Sequence, residues 1–406
     1  MNIILAQTIG LLCAAILVAI IARRLHLPYT VGLVITGIGL AFANVRSGAI
    51  LTHEFIFDVI LPPLLFEAAL NLHWRELRKD ILPVLTLSTL GVVISAAVVA
   101  SGMKYLLNWP LAPALIFGVA IAATDPIAVI AMFKDIGAKG RLRLLVESES
   151  LFNDGAAAVL FALSLAWVEN GNGGMLTGGG MTRVLVSMVG GGIGVGLVCG
   201  GAAVLFVGRT ADYLIETTVT TVTAYGSFLL AEHFQFSGVL ATVSAGLLMG
   251  NCGILKMSVP SILSGNGRRF VMAFWDFAAF IANSMVFLLI GLAVANISFG
   301  EFGLPALLMT IGLVVVARAV TVYPICFMFR RTQWAIPMPE QHILWWGGLR
   351  GALALALALA LPPAFGYRNE ILIAAFGVVV FSVIAQGLTM PFLLRRIGVL
   401  PPSGDE

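Results

Sequence analysis

Long apolar stretches, separated by short polar loops, run through the whole chain. Most are long enough to cross a hydrocarbon layer about 30 Å thick as a helix that rises about 1.5 Å per residue. Composition agrees, since 60% of the residues are hydrophobic and 11% are charged, whereas soluble domains have about 25% charged residues. Because the stretches do not alternate as barrel strands do, the pattern predicts an all-α polytopic membrane protein.

We count about 13 transmembrane helices joined by short loops. The predicted spans cover residues 2–22, 28–44, 54–72, 81–101, 111–134, 142–167, 183–207, 213–232, 236–254, 270–296, 301–329, 341–361 and 370–394. No loop is long enough to form a soluble domain, so we expect residues 1–406 to form a single transmembrane domain.

The basic residues predict the orientation of these spans. Cytoplasmic loops of membrane proteins carry an excess of Lys and Arg. With the N-terminus outside, only four of the 23 basic residues fall in outer loops, and these are Arg46, Lys104, Arg183 and Arg368. Arg318 and Arg350 lie inside spans, and all the others fall in inner loops. We therefore expect a multi-pass protein of the cytoplasmic (inner) membrane, with a cytoplasmic C-terminus.

Two of the predicted spans are interrupted. Span five contains Asp125 followed by Pro126, and proline removes a backbone donor and disfavours helix in the preceding residue. In span twelve, three glycines surround Arg350. Paired interrupted helices in equivalent positions of two halves indicate a transport site near the bilayer midplane. We therefore expect two inverted six-helix repeats, about 1–167 and 213–396, with spans five and twelve crossed and a linking helix at about 183–207.

Span six carries an unusual density of polar residues, in the sequence VESESLFNDGAAAVLF. A charge at the bilayer centre costs at least about 2.5 kcal/mol, so such residues are rare unless they have a function. Ser150 and Asp154 are four residues apart and therefore share one face of a helix. Glu149 and Asp154 are five apart, which rotates them by about 140° from each other. One helix can thus present a carboxylate to two different neighbours.

The residues near mid-membrane suggest a cation site. Glu67, Asp125 and Asp154 each lie about 18–21 Å along their spans at about 1.5 Å per residue. Asp154 and Ser150 offer hard oxygen ligands, Glu67 can add a second carboxylate, and a broken helix frees backbone carbonyls. Asn153 is a neutral hydrogen-bonding group beside this site. A carboxylate that holds either a proton or a cation would couple the movements of the two ions.

Other polar residues within the spans are interpreted as structural. A buried carboxylate needs a partner, and Glu149 faces away from the Asp154 side, so its partner is Arg318 or Arg350. Asp125 and Arg350 are expected to stabilise the crossing, because their charges offset the dipoles of the half-helices that meet there. Asp276 is placed at the cytoplasmic mouth of span ten, as a charge of the entrance funnel.

Six motifs together resemble those of one family. They are PPLLFEAALN at 62–71, ATDP at 123–126, ESLFND at 149–154, FWD with NS at 283–284, ARA at 317–319 and GGLRGALALA at 347–356. These motifs resemble the NhaP-type sodium/proton antiporters, the electroneutral branch of the monovalent cation/proton antiporter superfamily. The match covers essentially the whole chain. It implies thirteen helices, an inverted repeat, a core side with crossed broken helices and a dimerisation side, hence a homodimer.

The resemblance also implies roles for individual residues. Asp154 corresponds to the carboxylate that carries the cation or the proton, and Asn153 to the Asn of the Asn-Asp pair that marks the electroneutral branch. Glu149 and Arg318 correspond to the family's ion pair. The implied ligands of a bound Na⁺ are Asp154, Ser150, Glu67 and the carbonyl of Thr124.

The chain departs from the family pattern at two places. The family usually has Glu where Asp276 stands, at the expected inner funnel. The usual Gly before the ES pair is Ser148, and Glu147 adds a further acid.

We therefore expect an antiporter that exchanges Na⁺ or Li⁺ for H⁺, one for one, by alternating access, in pH and sodium homeostasis. A K⁺/H⁺ antiporter is the alternative, and a sodium-coupled organic-solute carrier or a channel fits the sequence less well. We do not expect an enzyme, because no HExxH, GxSxG or paired catalytic aspartate signature is present. We expect no cofactor besides the transported ions and no nucleic-acid partner. The lipid bilayer is the expected surroundings.

Overall fold

The structure is a computed structural model that describes residues 2–24, 28–43, 51–135, 140–169, 178–210, 212–254, 265–295, 297 and 299–398. Regular structure in these described residues is entirely helical. Each of the thirteen predicted spans coincides with a helix, with consecutive helical segments or with a pair of half-helices. The predicted all-α class is therefore confirmed.

Eighteen α-helices and four π-helical segments make up the described part of the chain. Helices α1 to α18 cover, in order, Asn2–Arg24, Tyr29–Phe42, Leu61–Asn71, Trp74–Leu85, Gly91–Leu106, Leu111–Ala120, Ile127–Asp135, Arg141–Glu169, Gly178–Val207, Tyr213–His233, Gly238–Met249, Gly265–Val294, Phe299–Phe302, Leu304–Phe329, Met338–Trp346, Ala352–Leu359, Arg368–Phe381 and Gly387–Arg396. The π-helical segments are Phe55–Ile60, Thr86–Leu90, Gly250–Ile254 and Ser382–Gln386.

Six of the described helical stretches are long and apolar enough to cross a membrane. They are Trp74–Leu106, Arg141–Val168, Gly180–Val207, Asn266–Val294, Leu304–Phe329 and Arg368–Arg396. Four shorter apolar helices accompany them, at Ile9–Ala22, Tyr29–Phe42, Leu111–Ala120 and Gly238–Cys252. A helix satisfies its backbone polar groups internally, which a chain in hydrocarbon must do.

The helix that contains predicted span four begins earlier than expected. Helix α4 begins at Trp74 rather than at residue 81, and its first turns carry the charged sequence WRELRKD. The backbone leaves helical geometry at Asp80, with φ −114° and ψ 15°. Hydropathy detects only the apolar run that follows the kink, so the predicted span left out the polar turns before it.

The chain divides into two compact units. The first unit contains residues 1–53, 82–153 and 284–406, and the second contains residues 54–81 and 154–283. Both units are assembled from stretches that are far apart in the sequence. The expected inverted repeats run along the sequence instead, and they stay a prediction.

In the first unit, α5 packs against α6 and α14, and α16 packs against α17. Helix α2 approaches the end of α12 closely, because a methyl group on Gly37 would collide with the backbone of Leu288 and Gly291. Glycine allows this contact since it has no Cβ.

Two helices of the first unit are interrupted at the candidate site. Helix α6 ends at Ala120 and α7 begins at Ile127, so six residues that include Asp125 and Pro126 are not in a helix. Helix α15 ends at Trp346 and α16 begins at Ala352. These breaks fall where the sequence places Pro126 and the glycines around Arg350.

In the second unit, α11 packs against α3, α9 and α10. The ring of Trp275 lies 4.7 Å from the ring of Phe66, centroid to centroid, and its Nε1 donates to the hydroxyl of Thr220 at 2.9 Å. Helices α10 and α11 begin with side-chain caps, since Asp212 accepts from the N–H of Leu214 and Ser237 from that of Leu240.

Candidate functional site

The two interrupted helices meet through their non-helical segments. The backbone N–H of Asp125, between α6 and α7, donates to the carbonyl of Leu349, between α15 and α16, at 2.7 Å. A side chain on Gly351 would collide with the carboxylate of Asp125. The two breaks therefore lie in direct contact, with glycine at the closest point. This geometry agrees with the expected crossing of spans five and twelve.

Asp125 interacts with the first residues of two half-helices. Its carboxylate accepts from the backbone N–H of Ile127 at 3.1 Å and from the N–H of Ala352. Ile127 begins α7 and Ala352 begins α16. The first N–H groups of a helix lack intrahelical partners and carry partial positive charge. One half-buried carboxylate thus serves the positive ends of both half-helices.

Arg350 makes the opposite contact at the end of α6. Its Nη1 donates to the carbonyl oxygens of Ala122 at 2.8 Å and Ala123 at 3.1 Å, just beyond that helix. The side chain is only 2% exposed. The last carbonyls of a helix lack partners and carry partial negative charge, which a guanidinium offsets.

Glu149 pairs with Arg318 by two hydrogen bonds. Arg318 Nη1 donates to Oε1 of Glu149 at 2.8 Å, and Nη2 donates to Oε2 at 3.0 Å. Both side chains are almost fully buried. Of the two arginines that the sequence left open as partners, the structure places Arg318 in the bidentate pair, while Arg350 serves the end of α6.

Arg318 also contacts the last turn of α15. Its Nε and Nη2 donate to the carbonyl of Leu344 at 3.2 and 3.0 Å. A methyl group on Gly348 would collide with this guanidinium. The two half-helices α6 and α15 therefore each end against a buried arginine. The sequence predicted such a role at the crossing for Arg350, but not for Arg318.

Ser150, on α8, reaches the break between α6 and α7. Its hydroxyl donates to the backbone carbonyl of Thr124 at 2.8 Å. Two expected ligand groups are thus adjacent to each other. Asp154 follows Ser150 on α8 after four residues, which is one helical turn.

Two buried oxygens near this break have no hydrogen-bond partner among the described residues. They are Oγ1 of Thr124 and Oδ1 of Asn153. The amide nitrogen of Asn153 donates to Oε1 of Glu149 at 3.4 Å, so the amide oxygen points elsewhere. Buried polar atoms are nearly always paired, and an unpaired oxygen can accept a proton donor or bind a cation.

A small cavity of about 10 Å³ adjoins the ion pair. Its lining includes Thr124, Glu149, Arg318, Leu344 and Gly347. This volume has room for about one water molecule. Polar atoms of the break and of the ion pair therefore share one small space.

The remaining candidates belong to the second unit. Glu67, on α3, is half-buried, and its Oε1 accepts from the side-chain amide of Asn71 at 2.8 Å. Asp154 is also half-buried, and Gly155, which follows it, packs against Leu240. Asp276, on α12, is exposed, and its expected place at the cytoplasmic mouth stays a prediction.

One buried acid escaped the sequence reasoning. Glu216, in the first turn of α10, is completely buried, and the helix continues with buried Thr217 and Thr220. Because Thr220 receives the hydrogen bond from Trp275, this region is a polar patch inside the second unit. An acidic residue inside an apolar predicted span was the available signal.

Fold and site together define a class. A polytopic helical membrane protein with two contacting broken helices, whose ends are offset by buried charges, is a secondary transporter in architecture. The chain belongs to the sodium/hydrogen exchanger family, because the family model described as "Sodium/hydrogen exchanger, transmembrane" matches residues 11–396.

Individual relatives agree with this family. The chain is 40% identical over 379 residues to the Na(+)/H(+) antiporter ApNhaP of Aphanothece halophytica, covering 92% of this chain and 70% of the relative. It is 34% identical over 409 residues to the Na(+)/H(+) antiporter NhaH of Halobacillus aidingensis, covering 97% and 98%. The solved structure of the sodium proton antiporter MjNhaP1 from Methanocaldococcus jannaschii at pH 8 has the same fold, with a TM-score of 0.75 at 21% identity over 97% of this chain and 99% of that chain.

Proposed function

We propose that this chain is a secondary antiporter that exchanges Na⁺, or Li⁺, for H⁺ across the membrane. One observation carries the proposal beyond family membership. The Ser150 hydroxyl is hydrogen-bonded to the Thr124 carbonyl at the break between α6 and α7, one helical turn before Asp154 on α8. Hydroxyl, carbonyl and carboxylate oxygens are the ligands that small alkali cations require, and broken helices supply such carbonyls.

Asp154 is the proposed ion carrier. Its carboxylate takes up either a proton or a Na⁺ ion, and the two compete for the same oxygens. If the transporter changes between inward-open and outward-open states only with the carboxylate occupied, each inward ion is matched by an outward one. This competition produces exchange without any coupling between separate sites.

The further proposed ligands are Ser150, Glu67 and the carbonyl of Thr124, with Asn153 beside them. Ser150 can keep its hydrogen bond to Thr124 and still offer lone pairs to a cation. The amide oxygen of Asn153 is buried without a hydrogen-bond partner, which supports our placing Asn153 beside the cation ligands. Because Asn153 cannot ionise, the site has one exchangeable carboxylate at this pair of positions, and we assign a stoichiometry of one Na⁺ per H⁺.

The charges around the crossing have structural roles in this proposal. Asp125 and Arg350 offset the ends of the half-helices, and the pair of Glu149 and Arg318 joins α8 to α14 and to the end of α15. Exposed Asp276 attracts cations to the cytoplasmic entrance.

We further propose a homodimer in the cytoplasmic membrane, with the N-terminus outside and the C-terminus in the cytoplasm. The distribution of basic residues supports this orientation. The long apolar helices support integration into lipid. The expected role is pH and sodium homeostasis.

Proton efflux from everted vesicles, followed with a pH-sensitive dye, tests the function. Addition of Na⁺ or Li⁺ should dissipate the pH gradient, while K⁺ should have little effect. A response to K⁺ alone would replace sodium by potassium as the substrate. Proton movement that needs an organic solute would contradict cation/proton exchange.

A further inference from the structure

A second small cavity lies among α14, α17, the π-helical segment after α17 and the break between α15 and α16. It measures about 10 Å³ and is lined by Val314, Arg318, Gly348, Arg350, Ser382 and Gln386, with further apolar residues. A cavity of this size has room for about one water molecule or one monatomic ion. Among the described residues that line it, none is acidic.

The charges at this cavity are unbalanced. Arg318 is neutralised by Glu149, with which it forms a bidentate pair. Arg350 has no carboxylate within ion-pair distance in the described part of the chain, and its Nη1 is bonded only to the neutral carbonyls of Ala122 and Ala123. Isolated buried charges are costly unless they are paired.

The guanidinium of Arg350 also has an unused donor group. Its Nη2 is buried and has no hydrogen-bond partner among the described residues. This group carries two N–H donors. Asp125, the acid in the other break, already accepts from the N–H groups of Ile127 and Ala352. Arg350 thus lines a cavity that has no acidic residue in its described lining, and its side chain has N–H donors without a hydrogen-bond partner.

The backbone beside the cavity is irregular. Ser382 and Gln386 are the first and last residues of the π-helical segment that joins α17 to α18. π-Helical turns inside α-helices occur frequently at functional sites. The Ser382 hydroxyl donates to the carbonyl of Val378 at 2.9 Å, and the Gln386 amide donates to the carbonyl of Trp346 at 3.3 Å. Both side chains are held in place at the cavity wall.

We propose that this cavity binds one monatomic anion, chloride in the cell, on the free N–H donors of Arg350. The anion supplies a full counter-charge, where the end of α6 supplies only partial negative charge. Apolar residues such as Val314 in the cavity wall suit a weakly hydrated ion. The site is separate from the proposed cation ligands and does not depend on exchange activity. Chloride is therefore a structural ligand that stabilises the broken span of Arg350.

Thermal unfolding of the purified protein tests the proposal. The midpoint should be several degrees higher in sodium chloride than in sodium gluconate at the same sodium concentration and ionic strength, because a ligand of the native state stabilises it. Ser382→Val, which narrows the cavity without touching Arg350, should lose most of this difference. Ser95→Val is the matched control, since Ser95 is equally buried in α5 and lies away from the cavity lining, and it should keep the difference.

Crystals grown in bromide give a direct readout. An anomalous peak within hydrogen-bond distance of Arg350 Nη2 is expected. Water density without an anomalous signal at that position would overturn the proposal. So would equal wild-type midpoints in the two salts, or a Ser382→Val variant with the full chloride effect. Since neither measurement involves transport, failure here leaves the exchange function untouched.

Discussion

The hydroxyl of Ser150 donates to the backbone carbonyl of Thr124 at 2.8 Å, across 26 residues of sequence. This hydrogen bond joins α8 to the break between α6 and α7. Both atoms are oxygens that a cation can use, so the bond holds two proposed ligands next to each other.

Ser150→Ala should weaken sodium binding while the protein still folds. The change removes one ligand and leaves the Thr124 carbonyl without the Ser150 hydroxyl as a partner. A buried group that loses its hydrogen bond typically lowers the free energy of unfolding by about 1–3 kcal/mol. The apparent KM for Na⁺ in vesicles should rise strongly. Ser148→Ala is the matched control, since Ser148 is buried two residues earlier and donates only to Leu144 in its own helix. An equal rise in both variants would contradict the ligand role.

Asp154→Asn should abolish exchange without loss of folded protein. The amide cannot take up a proton, and it removes the charge that attracts the cation. Sodium-driven proton movement in vesicles measures the effect. Asp276→Asn, the same change at an exposed position on α12, should retain exchange with a higher apparent KM. Substantial exchange by the Asp154 variant would refute its assignment as the carrier.

Glu149→Ala and Arg318→Ala should each destabilise the protein strongly. Removal of one member of a buried pair strands the other charge and costs about 3–5 kcal/mol. The double variant should be clearly more stable than the sum of the two single losses predicts, by about 0.5–3 kcal/mol for a contacting pair. Thermal unfolding in detergent provides the comparison. Strict additivity would mean that the pair contributes little net energy.

Gly351→Ala should disrupt the crossing of the broken helices. A methyl group at this position collides with the carboxylate of Asp125, which accepts from the first N–H groups of α7 and α16. We expect lower yield and slower exchange at equal expression. Gly312→Ala, in α14, is the control because a methyl group there meets nothing within 4 Å. If both variants behave alike, the close contact at Gly351 is not essential.

Transport by the wild-type protein should be insensitive to membrane potential. One proton replaces one sodium ion at Asp154, so the loaded site has the same charge in both directions. Vesicles clamped with potassium and valinomycin at zero and at a large negative potential should exchange at equal rates. A clear voltage dependence would overturn the one-for-one stoichiometry and implicate Glu67 in carrying an additional proton.

The sequence by itself determined the class and the location of the breaks. Apolar stretches long enough to cross a bilayer predict helices, because a backbone in lipid must satisfy its own hydrogen bonds and a helix does so within one segment. Pro126 and the glycines near Arg350 marked both interruptions, since proline and glycine disfavour a continuous helix through local backbone effects. The motifs around Asp154 and Arg350 also indicated the family.

Tertiary structure decided which charges serve which partners. Helical periodicity showed that Glu149 faces away from Asp154, but it could not choose between Arg318 and Arg350, because both arginines lie on other helices. Only the contacts of α14 with α8 and with α15 place Arg318 on Glu149 and on the end of α15. It leaves Arg350 at the end of α6 with a free donor group. Contacts between residues far apart in sequence depend on how helices pack, which no local pattern encodes.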